Sequence, residues 1–229
     1  MNFNEWKIIF KEISNDLNLS FDKDLDSAKI LEKLLINKKI ISIEKLKNLI
    51  FKKNVYIFGA GPSLEEDVKK FKNIFSNKTK IVADGATTAL LENNILPDII
   101  VTDLDGKIDD QIKANSKGSI AMIHAHGDNI DKIKKYVLKF EGDMIGTIQT
   151  NSSPFKNIVN FGGFTDGDRA VYLADHLNAN KINLIGFDFD NKIGKYSFAD
   201  SKDIKIKLKK QKWCKYLIEN LNNKTIEFL

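Results

Sequence analysis

The stretch 97-PDIIVTDLDG-106 organises our interpretation of this chain. It starts with a turn residue, continues through three β-branched apolar residues at 99–101, and ends in two aspartates and a glycine. The apolar run predicts a strand buried on both faces, as in a parallel sheet. In extended backbone, Asp103 and Asp105 would point to the same side, and two crowded carboxylates repel each other unless a cation lies between them. A capping turn before the next helix is the alternative.

The composition is mildly basic, which a nucleic-acid partner or a site for a small anionic molecule would explain equally well. The 229 residues include 36 Lys+Arg and 31 Asp+Glu, which give a formal net charge of +5. Because the lysines are spread along the chain, a site for an anionic ligand explains the excess, and we expect no nucleic-acid partner. The single cysteine, Cys214, excludes an internal disulfide and suits a reducing compartment. With no signal-peptide or bilayer-spanning pattern, we expect a cytoplasmic protein without membrane association.

The chain divides at about residue 54. Residues 1–53 contain no glycine or proline, and their apolar residues recur at helical spacing, with breaks near 18–22 and 37–42. We interpret them as an N-terminal subdomain of three helices that packs on the main domain; a lid or a dimer arm is the alternative, so a homodimer stays open. In residues 54–229, strand and helix patterns alternate, which predicts an α/β domain with a doubly wound, mostly parallel sheet.

The strands of this sheet can be read from short apolar runs bounded by glycine, aspartate or asparagine. Besides the strand within 97–106, the predicted strands are 55–58, 80–83, 119–123, 144–147, 158–161, 181–187 and 225–228. Helices are predicted after Ser63, up to about Asn93, at 130–140, up to Leu177 and at 203–221.

Four aspartates follow predicted strands: Asp84, Asp103, Asp105 and Asp128. Because parallel strands end at the same edge of a sheet, these carboxylates should converge there. Near neutral pH such a group needs Mg²⁺-type ions or raised pKa values. Helix capping is the alternative explanation for each residue taken alone.

The turn 59-GAGPS-63 follows the first strand. A glycine-rich turn that opens a helix presents free N–H groups to a phosphate, and Ser63 with Glu66 matches a capping box. The motif is weak by itself, since Leu64 stands where a dinucleotide fingerprint has its third glycine. A tight strand-to-helix turn without a ligand is the alternative.

Arg169 is the only arginine, and it lies in 163-GFTDGDRA-170. Its planar guanidinium can bind a phosphate or a carboxylate bidentately, which lysine cannot do. We expect it to contact the ligand or to order the site, with an internal ion pair to Asp166 or Asp168 as the alternative.

Two further groups of basic residues are candidates for ligand contacts. His124 and His126 would share a face of a strand, but no third soft ligand is near enough for a usual zinc site, so contact of His126 with phosphate or a substrate hydroxyl is preferred. In the lysine-rich last helix, Lys205 and Lys209 are spaced to lean over a polyphosphate, although such a run is usually a solvated face.

Taken together, these motifs resemble the archaeal 6-hydroxymethyl-7,8-dihydropterin pyrophosphokinase family over nearly the whole chain. The motifs that carry the resemblance are GAGPSL (59–64), DGAT (84–87), PDIIVTDLDG (97–106), HAHGDN (124–129) and GFTDGDRA (163–170). The central part also looks like thiamin pyrophosphokinase. The resemblance implies ATP- and Mg²⁺-dependent transfer of diphosphate to a pterin alcohol, with release of AMP, on the route to tetrahydromethanopterin or folate.

The resemblance also implies roles for particular residues. By matching positions, the metal ligands would be Asp84, Asp103, Asp105 and Asp128. Beside the resemblance, the reasoning from the residues leads us to expect catalytic roles for Asp103, Asp105, Arg169 and His126. Contacts with the nucleotide are expected from Gly59, Gly61, Ser63, Gly85, Thr87, Thr165 and Asp168.

Two other functions remain alternatives at this point. A related glycine-proline-serine motif occurs in proteins that look like flagellin-modifying sugar transferases, which suggests a sugar-nucleotide-dependent transferase. A non-catalytic nucleotide-binding module is the other alternative, although four acidic residues are more than nucleotide binding alone requires.

Overall fold

The computed structural model describes residues 3–190, 192–197, 204–221 and 225–229. Within these ranges the strands are β1 (Asn54–Phe58), β2 (Thr79–Ala83), β3 (Ile99–Thr102), β4 (Ile120–Ala125), β5 (Met144–Ile148), β6 (Ile158–Val159), β7 (Lys181–Ile185) and β8 (Ile226–Phe228). The α-helices are α1 (Phe3–Leu17), α2 (Phe21–Leu35), α3 (Ile43–Ile50), α4 (Leu64–Phe75), α5 (Ala86–Glu92), α6 (Ile108–Ser116), α7 (Ile130–Tyr136), α8 (Asp166–His176) and α9 (Ile204–Glu219).

All of these strands belong to one parallel sheet with the order β6-β5-β4-β3-β2-β1-β7-β8. The chain enters at β1, winds outward to β6, and then returns to β7 on the other side of β1. In register, Val55 of β1 lies between Thr79 of β2 and Ile182 of β7. This confirms the predicted α/β class, and it places the topological switch point, where such folds bind ligands, between β1 and β7.

Helices cover both faces of the sheet because the strands are apolar on both sides. Val55 and Ile57 of β1 pack into one buried cluster, with residues of α1, α3, α8 and α9. Tyr56 and Phe58, which alternate with them, face the opposite side with α4 and α5. The result is a three-layer arrangement whose functional edge is formed by the loops after the strands.

The N-terminal helices share these clusters with the sheet. Trp6 and Leu46 are buried in the cluster that contains Val55, whereas Leu31 of α2 is buried beside β4 and β5 on the other face. Ile40 also forms an isolated parallel bridge to Met144 of β5. Residues 3–53 are therefore packed as part of the main body.

Several boundaries differ from the sequence-based prediction. The helix α6 was not predicted, because its buried side chains include the polar residues Gln111 and Asn115 and its apolar periodicity is weak. The strand predicted at 181–187 ends at Ile185, since Gly186 takes a left-handed φ of 69°. The helix predicted at 130–140 ends as α7 at Tyr136 and is followed by a 3₁₀ turn, Val137–Lys139. Residue 203, the predicted start of the last helix, lies outside the described residues.

Among the helices in the described ranges, none is both long enough and apolar enough to cross a bilayer.

Candidate active site

Three carboxylates meet at the carboxyl edge of the sheet. Asp84 follows β2, Asp103 follows β3, and Asp166 begins α8, which lies against the sheet. One oxygen from each of them lies within 4.8 Å of the others. The backbone N–H of Asp103 donates a hydrogen bond to Oδ2 of Asp166 at 3.3 Å, which links the strand end to the helix.

Asp84 is held in place by neutral partners. Its Oδ1 accepts hydrogen bonds from Thr102 Oγ1 at 2.6 Å and from Gln111 Nε2 at 2.8 Å. Burial, followed by the negative charge of Asp103, raises the pKa of Asp84 to about 7. Positive charge, which its hydrogen-bond partners do not supply, would therefore shift this carboxyl toward the ionised form near neutral pH.

Asp103 and Asp166 differ in their electrostatic environments. Burial alone would raise the pKa of Asp103, but the hydrogen bond and charge of His126, and then the charge of Lys210, outweigh it and lower the pKa to about 2. His126 Nε2 lies 3.5 Å from Asp103 Oδ2. Burial and the charge of Asp103 raise the pKa of Asp166 well above its usual value, and Arg169 only partly offsets this. The cluster is short of positive charge.

The donor set fits a hard divalent cation. All three groups are carboxylates, the oxygen ligands that Mg²⁺ and Ca²⁺ prefer, and zinc would favour nitrogen or sulfur. A bound dication would also relieve the repulsion that raises the pKa values of Asp84 and Asp166.

The two other predicted metal ligands lie at the margin of this cluster. Leu104 has a left-handed φ of 68° and a buried side chain, so the expectation that Asp103 and Asp105 are presented by extended backbone is wrong. Asp105 still lines the same cavity, where it forms an ion pair with Lys132. Asp128 is exposed, and its backbone N–H donates to His126 Nδ1 at 3.3 Å.

Asp166 is the member of the cluster that the sequence analysis missed. The signal was present, because Asp166 lies in the same motif as Arg169, but it was considered only as an ion-pair partner. No strand precedes it directly, so a search for carboxylates at strand ends does not find it.

The glycine-rich turn after β1 packs against the turn after β7. The N–H groups of Gly59 and Gly61 donate to the carbonyls of Ile185 and Gly186, each at 2.9 Å, and Ser63 N–H donates to Asp188 Oδ2 at 3.0 Å. The expectation of free N–H groups at these three positions is therefore wrong.

Close packing explains the glycines in this turn. A Cβ at Gly61 would lie 2.5 Å from the carbonyl oxygen of Gly186 and 2.2 Å from Asp188 Oδ2. The predicted capping box of Ser63 and Glu66 is also not formed, since the Ser63 hydroxyl bonds to Asp188 at 3.0 Å and makes no cap.

The N-terminus of α8 is fixed by a capping box. The Thr165 hydroxyl donates to Asp168 Oδ2 at 2.6 Å, and the backbone N–H groups of Phe164 and Thr165 also donate to the Asp168 carboxylate. Asp168 is fully buried beneath the loop, so its carboxylate is committed to this cap. Its effect on the site is to hold the first turn of the helix, and with it Asp166, in position.

Arg169 connects the cluster to its surroundings. Its guanidinium donates to Asp166 Oδ1 at 3.1 Å, to the carbonyl of Phe164 at 2.5 Å and to Gln149 Oε1 at 3.3 Å. The side chain is only 8% exposed. The internal ion pair with Asp166, which was the alternative in the sequence analysis, is thus present, and it orients one of the three carboxylates.

A cavity opens from the carboxylates toward the switch point, and we call it the first cavity. Its walls include Gly59, Gly61, Gly85, Asp84, Asp103, Asp105, Thr165, Asp166, Phe187, Asp188, Lys207 and Lys210. Of the other predicted nucleotide contacts, Thr87 is fully buried in α5. Lys205 is exposed and Lys209 pairs with Asp16, so the lysines of α9 that line the cavity, Lys207 and Lys210, are not the two that were predicted.

Comparison with known proteins identifies the family. The model of the 6-hydroxymethylpterin diphosphokinase MptE-like family matches residues 28–194. The chain belongs to this family. The matched region contains all three clustered carboxylates and Arg169, whereas α1 and α9 lie outside it.

Curated relatives match the chain over its length. A protein of Methanocaldococcus jannaschii named 6-hydroxymethyl-7,8-dihydropterin pyrophosphokinase is 46% identical over 100% of both chains. A protein of Pyrococcus furiosus with the same name is 44% identical over 100% of this chain and 99% of the relative. A third, from Methanothermobacter thermautotrophicus, is 42% identical over 85% of this chain and 82% of the relative. These matches confirm the resemblance inferred from the motifs.

A solved structure shows a more distant likeness. The MAf glycosyltransferase of Magnetospirillum magneticum AMB-1 aligns with a TM-score of 0.47 at 16% identity, over 76% of this chain and 29% of the glycosyltransferase. This likeness is too low to bear on function.

A smaller second cavity adjoins the first in this member of the MptE-like family. It lies beyond Asp103 and is bordered by the turn between α1 and α2 (17–20), Lys23, Asp24, His126, Gly127, Asp128, Gln149 and Arg169. Asp103, Phe164 and Lys210 line both cavities. Of the three clustered carboxylates, Asp103 therefore lies at the wall that the two cavities share.

Proposed function

We propose that this protein transfers diphosphate from ATP to the hydroxymethyl group of 6-hydroxymethyl-7,8-dihydropterin and releases AMP. The observation that carries the proposal is the 46% identity, over the full length of both chains, to a curated relative of that name. The clustered carboxylates, one of which (Asp103) lines both cavities, support it, because such a transfer has to bring a polyphosphate and an alcohol together at a site that neutralises charge.

In the proposed reaction, one phosphorus–oxygen bond forms and one breaks, and the alcohol loses a proton. The hydroxymethyl oxygen attacks the β-phosphorus of ATP and forms a new oxygen–phosphorus bond. The bond between the β-phosphorus and the oxygen that bridges it to the α-phosphorus breaks, and AMP leaves with that oxygen. The proton of the alcohol passes to a base or to water. We propose that His126 takes part by orienting Asp103, since its ring borders the second cavity and its Nε2 lies 3.5 Å from Asp103 Oδ2.

Asp84, Asp103 and Asp166 would hold Mg²⁺ in this reaction. When bound, the cation supplies neutralisation of the phosphate charges. The protein's own contribution is positioning: Arg169 and the α8 cap fix Asp166, and Thr102 and Gln111 fix Asp84. Asp105, in its ion pair with Lys132, and Asp128 stay as predicted members of an extended acidic set.

The first cavity suits ATP. It lies at the switch point between β1 and β7, and Lys207 and Lys210 extend into it from α9. Gly59, Gly61, Gly85 and Thr165 also line it, which supports their proposed contacts with the nucleotide. We propose a cytoplasmic enzyme on the route to tetrahydromethanopterin or folate.

The test is an assay for AMP with purified protein, ATP and Mg²⁺. We expect AMP and the pterin diphosphate in equal amounts with 6-hydroxymethyl-7,8-dihydropterin, and no AMP with thiamin. ATP binding without AMP formation would point to a nucleotide-binding module. Binding and consumption of a nucleotide sugar, with ATP unused, would point to a sugar transferase.

A further inference from the structure

The proposed function does not say where the acceptor alcohol binds, and it leaves the second cavity without a ligand. A transfer between two substrates needs the alcohol and the donor phosphorus to approach each other at the charged cluster. The first cavity reaches Asp103 from the switch point, and the second reaches it from the side of α1 and α2. A molecule in the second cavity would thus meet a nucleotide in the first at Asp103.

Asp24 is the distinctive group in the second cavity. It lies in the first turn of α2 and is only 3% exposed, yet it forms no ion pair within the described residues. Its Oδ1 accepts from the N–H of Gly127 at 2.8 Å, and its Oδ2 accepts from Gln149 Nε2 at 2.7 Å. These bonds hold the carboxylate rigidly and come from two different elements, the loop after β4 and the end of β5.

The Asp24 carboxylate keeps capacity for two more hydrogen bonds. A carboxylate offers about four lone-pair sites, and Gly127 and Gln149 use two of them. A pair of parallel N–H donors is the complement of a carboxylate. The amino-pyrimidine edge of a pterin carries such a pair, its exocyclic amino group and the neighbouring ring N–H.

From this geometry we propose that the second cavity binds the ring of the acceptor alcohol, and that Asp24 recognises the N–H edge of its amino-pyrimidine part. This inference rests on the proposed function and adds a role for the N-terminal helices. The turn at 17–20 and the first turn of α2 form a wall of this cavity, so this part of the N-terminal helices would contribute to acceptor specificity.

The observations favour the acceptor over the nucleotide in this cavity. Its lining is mostly polar and includes a rigid, buried carboxylate with acceptor capacity for a pair of N–H donors, which a phosphate chain does not carry. The first cavity instead carries the glycine turns after β1 and β7 and Lys207. ATP and the pterin are therefore assigned to opposite sides of Asp103.

The test separates pterin binding from ATP binding and from turnover. Binding of 6-hydroxymethylpterin is titrated by its fluorescence without ATP, and the affinity for ATP is measured by calorimetry without pterin. We expect Asp24→Asn to weaken pterin binding about tenfold to a hundredfold, the range for losing a hydrogen bond to a charged group. The affinity for ATP should change less than about twofold, below 0.5 kcal/mol of binding free energy on the scale of about 1.4 kcal/mol per tenfold. In the assay with both substrates, KM for the pterin should rise more than kcat falls.

A second variant tests the location independently of Asp24 chemistry. Ser20 borders the cavity and makes no side-chain capping bond to α2, so Ser20→Trp should fill the cavity without disturbing the helix. It should abolish pterin binding and keep ATP binding. Asp22, exposed in the same turn and outside the cavity lining, supplies the matched controls Asp22→Asn and Asp22→Trp.

The outcomes distinguish this inference from the proposed function. Wild-type protein that forms AMP, with Asp24→Asn and Ser20→Trp variants that bind the pterin normally, would overturn the inference alone. Variants that lose ATP and keep the pterin would assign the cavity to the nucleotide and overturn it as well. Wild-type protein that neither binds the pterin nor forms AMP would overturn both.

Discussion

At the scale of single residues, the site depends on how Asp84, Asp103 and Asp166 share one small volume. Their oxygens lie within 4.8 Å of each other, and only Asp103 has enough nearby positive charge to keep a low pKa. Asp105, two residues further along, is drawn to Lys132 instead. Asp105 is thus outside the three-carboxylate cluster although it is only two residues from Asp103, whereas the distant Asp166 belongs to it.

The first prediction compares Asp166 with Asp105. Asp166→Asn should reduce turnover on the order of a hundredfold or more, because it removes one of the three clustered carboxylates. Asp105→Asn should reduce turnover less, since the Asp105 carboxylate is already paired with Lys132. The measurement is kcat as a function of Mg²⁺ concentration for both variants. Equal losses, or a larger loss for Asp105, would contradict the proposed cluster and favour the set inferred from strand ends.

The second prediction concerns pH and the metal-free protein. The pKa of Asp84 is about 7 in the folded state against 3.8 for an ordinary aspartate, and that of Asp166 is also raised. Protonated Asp84 is therefore favoured by folding, so its stabilising contribution is complete below about pH 4 and is lost as the pH rises toward 7. Asp103 has a lowered pKa of about 2, and its opposite contribution changes only below about pH 4.

Melting temperatures measured in EDTA from pH 4 to 8 check this second prediction. Asp84→Asn should flatten the decline that the wild-type protein shows between pH 4 and 7. Mg²⁺ should raise the wild-type melting temperature most at the upper end of this range, because protons and the cation compete for the same oxygens. A wild-type slope that Asp84→Asn leaves unchanged would show that other groups control the pH dependence.

At the scale of elements, the turn before α8 determines where Asp166 and Arg169 lie. Asp168 binds the N–H groups of Phe164 and Thr165 together with the Thr165 hydroxyl, and Arg169 holds the carbonyl of Phe164. The loop before α8 is thus held to the helix by two buried side chains, Asp168 and Arg169. Both residues act mainly through the position of Asp166.

The third prediction is that Asp168→Ala destabilises the protein by about 2–4 kcal/mol, because two buried N–H groups lose their acceptor and α8 loses its cap. Urea unfolding measures this change in free energy. Asp109→Ala, an exposed acid in the first turn of α6, is the control and should cost less than about 1 kcal/mol. A cost for Asp168→Ala as small as the control's would show that the cap contributes little.

At the scale of the whole molecule, the N-terminal helices and the sheet form continuous buried clusters. Trp6, Phe10 and Leu46 lie in the same cluster as β1 and β7, and Leu31 and Leu35 lie beside β4 and β5. The Trp6 indole N–H also donates to the carbonyl of Gln149 at 2.7 Å. At residue 54 the sequence pattern therefore changes from helical to alternating strand and helix, but residues on both sides of it pack in the same buried clusters.

The fourth prediction is that a fragment of residues 54–229 does not fold cooperatively. Removing α1–α3 would expose the apolar surfaces against which Trp6, Leu31 and Leu46 pack, and each large buried side chain contributes on the order of 2 kcal/mol. Thermal unfolding followed by circular dichroism, with the full chain as reference, checks this. A fragment with a single sharp transition would establish residues 54–229 as an independent domain.

The sequence by itself determined the α/β class, the positions of the strands and the family. Short β-branched runs bounded by glycine and aspartate favour strands buried on both faces, and the motifs after them have a specific order and spacing. It also located Asp84 and Asp103, because both directly follow strands. It missed α6, whose buried Gln111 and Asn115 hide its helical periodicity.

Only the tertiary structure decided the rest of the site. Asp166 joins the cluster because α8 packs against the sheet, and Asp105 leaves it because Leu104 turns the backbone into the left-handed region. Gly59 and Gly61 use their N–H groups on the turn after β7, which is more than 120 residues away in the sequence. Such contacts depend on the relative placement of distant elements, which side-chain patterns within one segment do not encode.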